Sequence, residues 1–353
     1  MSAVLQPPPK GRNEFINGLL YFWQRGTSFA AIADGLFMAD RLKWGNNSGA
    51  VVTASQDASV PTFAQSKIIM PYSLKILITT ADATVNAAHI CAITNTIEGF
   101  NWSRLAQRPF ILKFWVKSNV TGIFTGALGS GALDRNFIFE YTINAADTWE
   151  QKTIVVPASP SAGTWNYKDA VGCYLFLALK AGATYTQTAD GTWTVSANKR
   201  ASPNQVNLLA TINNYIQFAG FEMAPADRAF PLDQMDLTQE LLRCQRYYEK
   251  SYKLTVAPGT NDTNGSLAFV SRTADQLDRL TIEFKAVKAN VGYATTLYST
   301  VSGVTARFRD VTGAADLSAI TENPGDENVT ARPNANTTAG HQYAFHYTID
   351  AEL

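Results

Sequence analysis

The chain carries three histidines, His89, His341 and His346, and no HExxH or other metal-ligand spacing. His341 and His346 are five residues apart in a segment that reads as a strand, and a strand turns such a pair to opposite faces. A shared metal is not expected of them. There is no GxSxG elbow and no glycine-rich phosphate loop ending in Lys-Ser/Thr. Glycoside hydrolysis would need two carboxylates across a cleft. Glu98, Asp134, Glu140, Asp147 and Asp169 are available, but any chain of 353 residues offers as many. No repeat of a long β-helix is visible either. No catalytic residue is assigned, and the chain is expected not to be an enzyme.

Sugar binding suits the residue types better. Aromatic faces stack on sugar rings, while amides and carboxylates take the hydroxyl groups. Trp102, Trp165, Tyr167, Tyr185 and Trp193 lie in turn-rich stretches with Asn, Thr and Asp beside them. The best clusters are Trp165-Asn166-Tyr167 and Asp190-Gly191-Thr192-Trp193. Trp165, Tyr167 and Trp193 are therefore the candidate carbohydrate-binding residues. The competing duty is packing on a sheet rim or at a subunit contact, and residue type alone favours packing. The loops around residues 312–340 are an equal candidate for a receptor surface.

These side chains need a scaffold, and the composition points to a β-rich one. Hydrophobic residues make up 46% and charged residues 16%, with Thr, Asn, Ser, Ala and Gly filling the difference. The 7 Trp, 14 Tyr and 19 Phe argue against disorder. Lys and Arg number 29 against 29 Asp and Glu, so the cationic surface that nucleic-acid binding needs is not expected. No run approaches the 18 apolar residues that would suggest a membrane span, and Met1–Lys10 does not read as a signal peptide. Cys91, Cys173 and Cys244 are far apart, each among apolar neighbours, and read as buried free thiols suited to synthesis in a reducing cytoplasm.

Pro7-Pro8-Pro9 marks residues 1–12 as an extended arm. Strand candidates follow at Phe110–Lys117, Asn136–Ile143, Gln151–Val156, Tyr174–Leu179 and Tyr215–Met223, divided by Gly and Pro. Tyr174–Leu179 is apolar throughout, as expected of a central strand covered on both faces. A sandwich or barrel is indicated. Residues 225–252 read as a linker and helix. Asp236 and Gln239 have capping-box spacing. Leu237, Leu241, Cys244 and Tyr248 then share one face of a helix over 237–250. Strands resume near Ser266–Val270, Arg279–Phe284, Ala294–Val301 and Tyr343–Ile349, while 312–339 reads as surface loop. A charge-poor, aromatic-rich surface has apolar area to cover, so homo-oligomerisation is expected, with the Leu237/Leu241/Cys244/Tyr248 stripe at or near the symmetry axis.

Two segments carry a family resemblance. Trp23-Gln24-Arg25-Gly26-Thr27-Ser28-Phe29 with Ala39-Asp40-Arg41-Leu42 is similar to a "WQRGTSF…ADRW" opening. Gly220-Phe221-Glu222-Met223, Ala229-Phe230-Pro231 and Glu240–Ser251 (ELLRCQRYYEKS) are similar to a "GVQLE…ATPFE…EL.LCQRYYEKS" junction. Ile97-Glu98-Gly99 and Phe114-Trp115-Val116-Lys117 fall in order between them. Residues 13–252 thus resemble bacteriophage tail-fibre or receptor-binding proteins with a carbohydrate-binding-module-like domain. Leu42 stands where the pattern has Trp, and Glu222-Met223 departs from Gln-Leu-Glu.

The resemblance implies an all-β chain: a jelly-roll β-sandwich over 13–224, a short connecting helix, and a smaller C-terminal β domain over 253–353 as tip. It implies a homotrimer on the virion, in contact with other virion proteins and with a host surface glycan or protein receptor, without cofactor. It leaves room for a structural calcium. The alternative role is a head fibre, capsid decoration or baseplate spacer. Without the family, Phe22, Trp23 and Phe29 read as core anchors, and Arg25 with Asp40 or Arg41 as a buried ion pair or carbonyl clamp.

Overall fold

The computed structural model describes residues 10–233, 235–276 and 278–353, and it is built almost wholly from antiparallel strands. Most of the expected polyproline arm, residues 1–9, lies outside the described residues. The chain forms two compact units. The first is Met1–Tyr21 with Thr27–Leu237, and the second is Phe22–Gly26 with Thr238–Leu353.

The first unit begins with β1 (Lys10–Arg12), β2 (Ser28–Phe29), β3 (Leu42–Asn46), β4 (Val51–Asp57), α1 (Phe63–Ser66), β5 (Ser73–Thr80) and β6 (Ile90–Glu98). After α2 (Gly99–Trp102) come β7 (Phe110–Ser118), β8 (Gly122–Ser130), β9 (Arg135–Ile143), β10 (Glu150–Val156) and β11 (Val171–Ala181). It closes with β12 (Trp193–Val195), β13 (Tyr215–Pro225) and β14 (Ala229–Asp233). Two six-stranded sheets, ordered β10-β7-β13-β5-β4-β2 and β12-β9-β8-β11-β6-β3, form the jelly-roll sandwich.

Its core follows from alternation. Phe110, Leu112, Phe114 and Val116 of β7 all point inward and are buried. Phe114 meets Tyr141 of β9 edge-on at 5.1 Å, and Phe15 stacks on Phe221 at 4.6 Å. The continuous apolar run of β11 is that of a central strand, flanked by β8 and β6. Its outer face is covered as well, because the Arg200 guanidinium lies 4.7 Å over Phe176. Arg41 is the expected carbonyl clamp: it is buried and donates to Thr96 O at 2.5 Å. All three cysteines are free and buried.

The second unit contains α3 (Leu237–Gln245), β15 (Tyr248–Lys250), β16 (Leu267–Val270), β17 (Leu280–Glu283), β18 (Ala294–Ser299), β19 (Arg307–Asp310), β20 (Ala315–Glu322), β21 (Asn328–Pro333) and β22 (Gln342–Asp350). β22 is its axis, with β15 and β16 along one edge and β18 and β19 along the other. Phe308, Tyr343, Phe345 and Ile349 fill the core.

Three expectations need correction. The helix ends at Gln245, not near 250. Tyr248, Glu249 and Lys250 pair instead with Asp350, Ile349 and Thr348 of β22. A ladder satisfies their backbone groups where the helix would have left its last carbonyls open. Tyr248 therefore does not share a helical face with Leu237 and Leu241. It and Cys244 are buried within this chain, so neither is free to line a symmetry axis. The stretch 312–339 is not all loop: it holds the hairpin β20–β21. Ala319, Val329 and Ala331 are small enough to pack beneath the aromatic residues, so the strands carry little of the large apolar signature. The linker over 225–252 contains β14, which pairs in parallel with β1. Arg25 reaches Asp350 at 3.0 Å and Glu352 at 3.3 Å, and with its neighbours it forms part of the second unit.

Candidate functional site

Registers place one set of loops together at one end of the sandwich. Glu98 pairs with Val171, Ser130 with Cys173, Val156 with Phe110, and Val195 with Arg135. The α2 turn, the loop before β7, the β10–β11 loop and the start of β9 therefore emerge at the same end. Candidates far apart in sequence meet there.

Trp102 closes α2 and is fully buried. Trp165 stacks on it at 5.2 Å and 21°, and Trp193 stands edge-on to Trp165 at 5.5 Å. Trp193 also meets Trp102 at 6.3 Å and Phe137 at 5.7 Å. Such aromatic pairs contribute about 1 kcal/mol each beyond the area they bury. Trp165 is half-buried, with Trp102 stacked on one face. Tyr167 is 38% exposed and Phe100 54% exposed on the adjoining loops.

The loops are held closely. Gly99 N donates to Ala170 O and Phe100 N to Lys168 O, both at 2.8 Å. Gly99 is required by close approach: a Cβ there would lie 2.5 Å from Asn166 Oδ1 and from Lys168 N. Asp134, at the turn before β9, ties down the residue preceding Trp165. Its carboxylate accepts from Ser130 Oγ at 2.6 Å and from Thr164 N and Oγ1 at about 3 Å. Those bonds, Ser130's first, hold its carboxyl below the usual carboxylate range. The indole N–H groups are also committed, Trp165 to Ala162 O at 3.2 Å and Trp193 to Pro157 O at 3.0 Å. Gln107 Nε2 makes a long bond to the Tyr167 hydroxyl, 3.4 Å. A cleft of about 380 Å³, lined by Leu133, Asp134, Val195, Ser196 and Asn198, opens alongside.

No protein-family model and no curated protein matches the chain. Solved structures do show likeness. A tailspike protein 4 enzymatically active domain from bacteriophage CBA120 is 13% identical with a TM-score of 0.31; the match covers 56% of this chain and about a fifth, 21%, of that one. The family 11 carbohydrate-binding module from Clostridium thermocellum, solved with a β-1,3-1,4-mixed-linked tetrasaccharide, is 10% identical with a TM-score of 0.30, covering 58% of this chain and 99% of the module. The module TmCBM61, solved with β-1,4-galactotriose, is 9% identical with a TM-score of 0.29, covering 61% and 99%.

Of the three candidates named from sequence, Trp165 and Trp193 are in contact, and Tyr167 lies beside them on the Trp165 loop. Tyr185 does not join them: it packs with Arg200, whose guanidinium lies 5.4 Å over its ring. Sequence reasoning missed Phe100 and the Gly99 and Asp134 tethers. Phe100-Asn101-Trp102 offered a signal, two aromatic residues around an amide beside a glycine. Among the described residues no group of three or more His, Cys, Asp and Glu is placed to hold a metal. His341 Nδ1 contacts Asp310 at 2.8 Å, while His346 is buried beneath Tyr252, so the two histidines occupy separate environments.

Proposed function

We propose that this chain is an attachment protein of a bacteriophage particle, a tail-fibre or receptor-binding subunit whose sandwich end holds a host-surface glycan. The observation that carries the glycan reading is Trp165: a partly exposed indole backed by the buried Trp102, braced by Trp193 and flanked by exposed Tyr167 and Phe100. A rigid aromatic face with little conformational freedom to lose is what stacking on a sugar ring needs. The phage assignment rests on the two motif segments and their order. The reading includes no reaction. Asp134 is held ionised by its hydrogen bonds and so is unsuited to donate a proton to a leaving group. Assembly as a homotrimer belongs to the same proposal, with exposed Leu237 and Leu242 of α3 as the apolar area to cover.

One observation favours the spacer reading. Both exposed-side indoles spend their N–H groups on loop carbonyls, as packing residues do. Glycan-array binding of the wild type and of Trp165→Ala separates the two. The attachment reading expects bound glycans and a loss of about tenfold or more in the variant, with the fold intact. An empty array, or a variant that binds as well as wild type, favours the head-fibre, decoration or spacer role.

A further inference from the structure

The sequence contains two Asn-Gly pairs, Asn17-Gly18 and Asn264-Gly265, and the fold treats them differently. An asparagine followed by glycine can react with its own backbone, because a residue without Cβ leaves its amide nitrogen unshielded. Asn17 is 1% exposed, its side-chain amide donates to Asp40 O at 3.2 Å, and a Cβ on Gly18 would lie 2.2 Å from Phe221 O. That pair is shut off from water and packed against backbone. Asn264 and Gly265 are both exposed, at a turn just before β16 in the second unit.

This turn leaves the reacting atoms open. Ser266 closes it, since its N–H and its hydroxyl both donate to Thr263 O, at 3.4 and 2.8 Å. Gly265 has a φ of 84°, in the left-handed region that favours glycine. Among the described residues its N–H donates to no acceptor. The Asn264 side-chain amide is oriented by one bond, from Nδ2 to Asp262 Oδ1 at 2.6 Å.

We infer that Asn264 is a site of spontaneous modification, converted by its own backbone to aspartate and isoaspartate. The Gly265 nitrogen bonds to Asn264 Cγ, the Cγ–Nδ2 bond breaks, and the proton given up by Gly265 N leaves with the amide as ammonia. The cyclic imide then takes up one water molecule. Opening at Cγ gives aspartate, and opening at the Asn264 main-chain carbonyl carbon gives isoaspartate, with the chain running through Cγ. Water is the only co-reactant. Either product puts a carboxylate where an N–H donor now meets Asp262, and isoaspartate also adds one carbon to the main chain before Gly265. Gly265 has no room to move toward Ser251, whose carbonyl oxygen would lie 2.3 Å from a Cβ at that position. Asp262 O also takes the bond from buried His346 Nε2 at 2.9 Å, so the altered turn is tied to a group inside the unit.

The test is peptide mapping by mass spectrometry of the full chain, aged in mildly alkaline buffer at physiological temperature, one sample folded and one in urea. The expected result is a gain in mass at Asn264 of the folded chain, NH replaced by O, with aspartate and isoaspartate peptides separated by chromatography. Asn17 should convert at least about tenfold more slowly while folded, because it must wait for the fold to open, and should draw level with Asn264 in urea. Asn264→Gln, whose longer side chain disfavours the ring, should abolish the change. Asn264→Asp carries the aspartate product from the start and should melt below the wild type, since two carboxylates then face each other at the turn. An Asn264 left intact in the folded chain after the urea sample has converted overturns the inference. Equal rates at Asn17 and Asn264 in the folded chain overturn the selection by the fold, and an Asn264→Asp variant that melts with the wild type overturns the effect on the turn.

Discussion

The guanidinium of Arg25 lies 3.7 Å from the centre of the Tyr248 ring. That contact joins the two segments on which the family resemblance depends. Beside it, Gln24 Nε2 donates to Tyr248 O at 2.8 Å, and Arg25 Nη2 reaches Asp350 and Glu352. The Trp23-Gln24-Arg25-Gly26 motif is thus a docking element of the second unit, and the Tyr247-Tyr248-Glu249-Lys250 motif is its receptor.

Arg25→Ala removes a cation–π contact and the guanidinium that Asp350 and Glu352 share. A loss of about 2 kcal/mol in unfolding free energy is expected. Arg25→Lys should recover less than half, since an ammonium lacks the planar fork. Chemical denaturation checks both, and a lysine variant as stable as wild type would show that charge alone matters here.

Gly99→Ala places a methyl group 2.5 Å from Asn166 Oδ1 and Lys168 N, so the Trp165 loop must move. Glycan binding should fall about tenfold, with a red shift in tryptophan emission and a stability loss of about 1–3 kcal/mol. An unchanged spectrum with unchanged binding would mean the loop is not anchored at that contact.

His346 is held neutral. Its Nε2 contacts Asp262 O at 2.9 Å and can only donate there, so Nδ1 accepts from Ser251 Oγ at 2.8 Å. Burial lowers its pKa below the ordinary 6.5. The unfolded chain therefore binds the proton more readily than the folded one. Stability should be full above about pH 6.5 and fall as the pH drops toward the lowered folded value. Melting curves between pH 7.5 and about 5 should show that slope, and His346→Gln should flatten it. At lower pH a second loss is expected as Asp310 and Asp316, held below the usual carboxylate range, take up protons.

Lys288 Nζ and Glu249 Oε2 are 2.6 Å apart with both side chains fully buried, and Tyr347 Oη donates to Glu249 Oε1 at 3.0 Å. Lys288→Met or Glu249→Gln alone strands a partner, and a cost of about 3–5 kcal/mol is expected for each. The double variant should cost clearly less than the sum. A double-mutant cycle by denaturation measures the coupling, and simple additivity would show that the pair is not coupled.

Much of the fold was legible in the chain. Alternation in Phe110–Lys117 and Asn136–Ile143 marks strands β7 and β9 nearly to their ends, and the apolar run Tyr174–Leu179 marks the middle of β11. These segments are legible because each buries a face against neighbours that only need to be apolar. The hairpin β20–β21 was not, since its inward residues are alanines and a valine whose burial depends on aromatic residues elsewhere. The fate of Tyr248 was equally hidden: helical periodicity continues through it, and only the edge of β22 redirects the backbone.

The sequence by itself determined the class of the molecule: an all-β chain with balanced charge, free buried cysteines, and aromatic residues in turns that could meet a sugar. It did so because period, composition and turn chemistry are local. Only the tertiary structure decided that Trp102, Trp165 and Trp193 form one cluster, that Gly99 lets their loops close, and that residues 22–26 belong with the second unit. Those facts depend on strand register and loop packing, which bring together residues whose separation in the chain carries no trace of their contact.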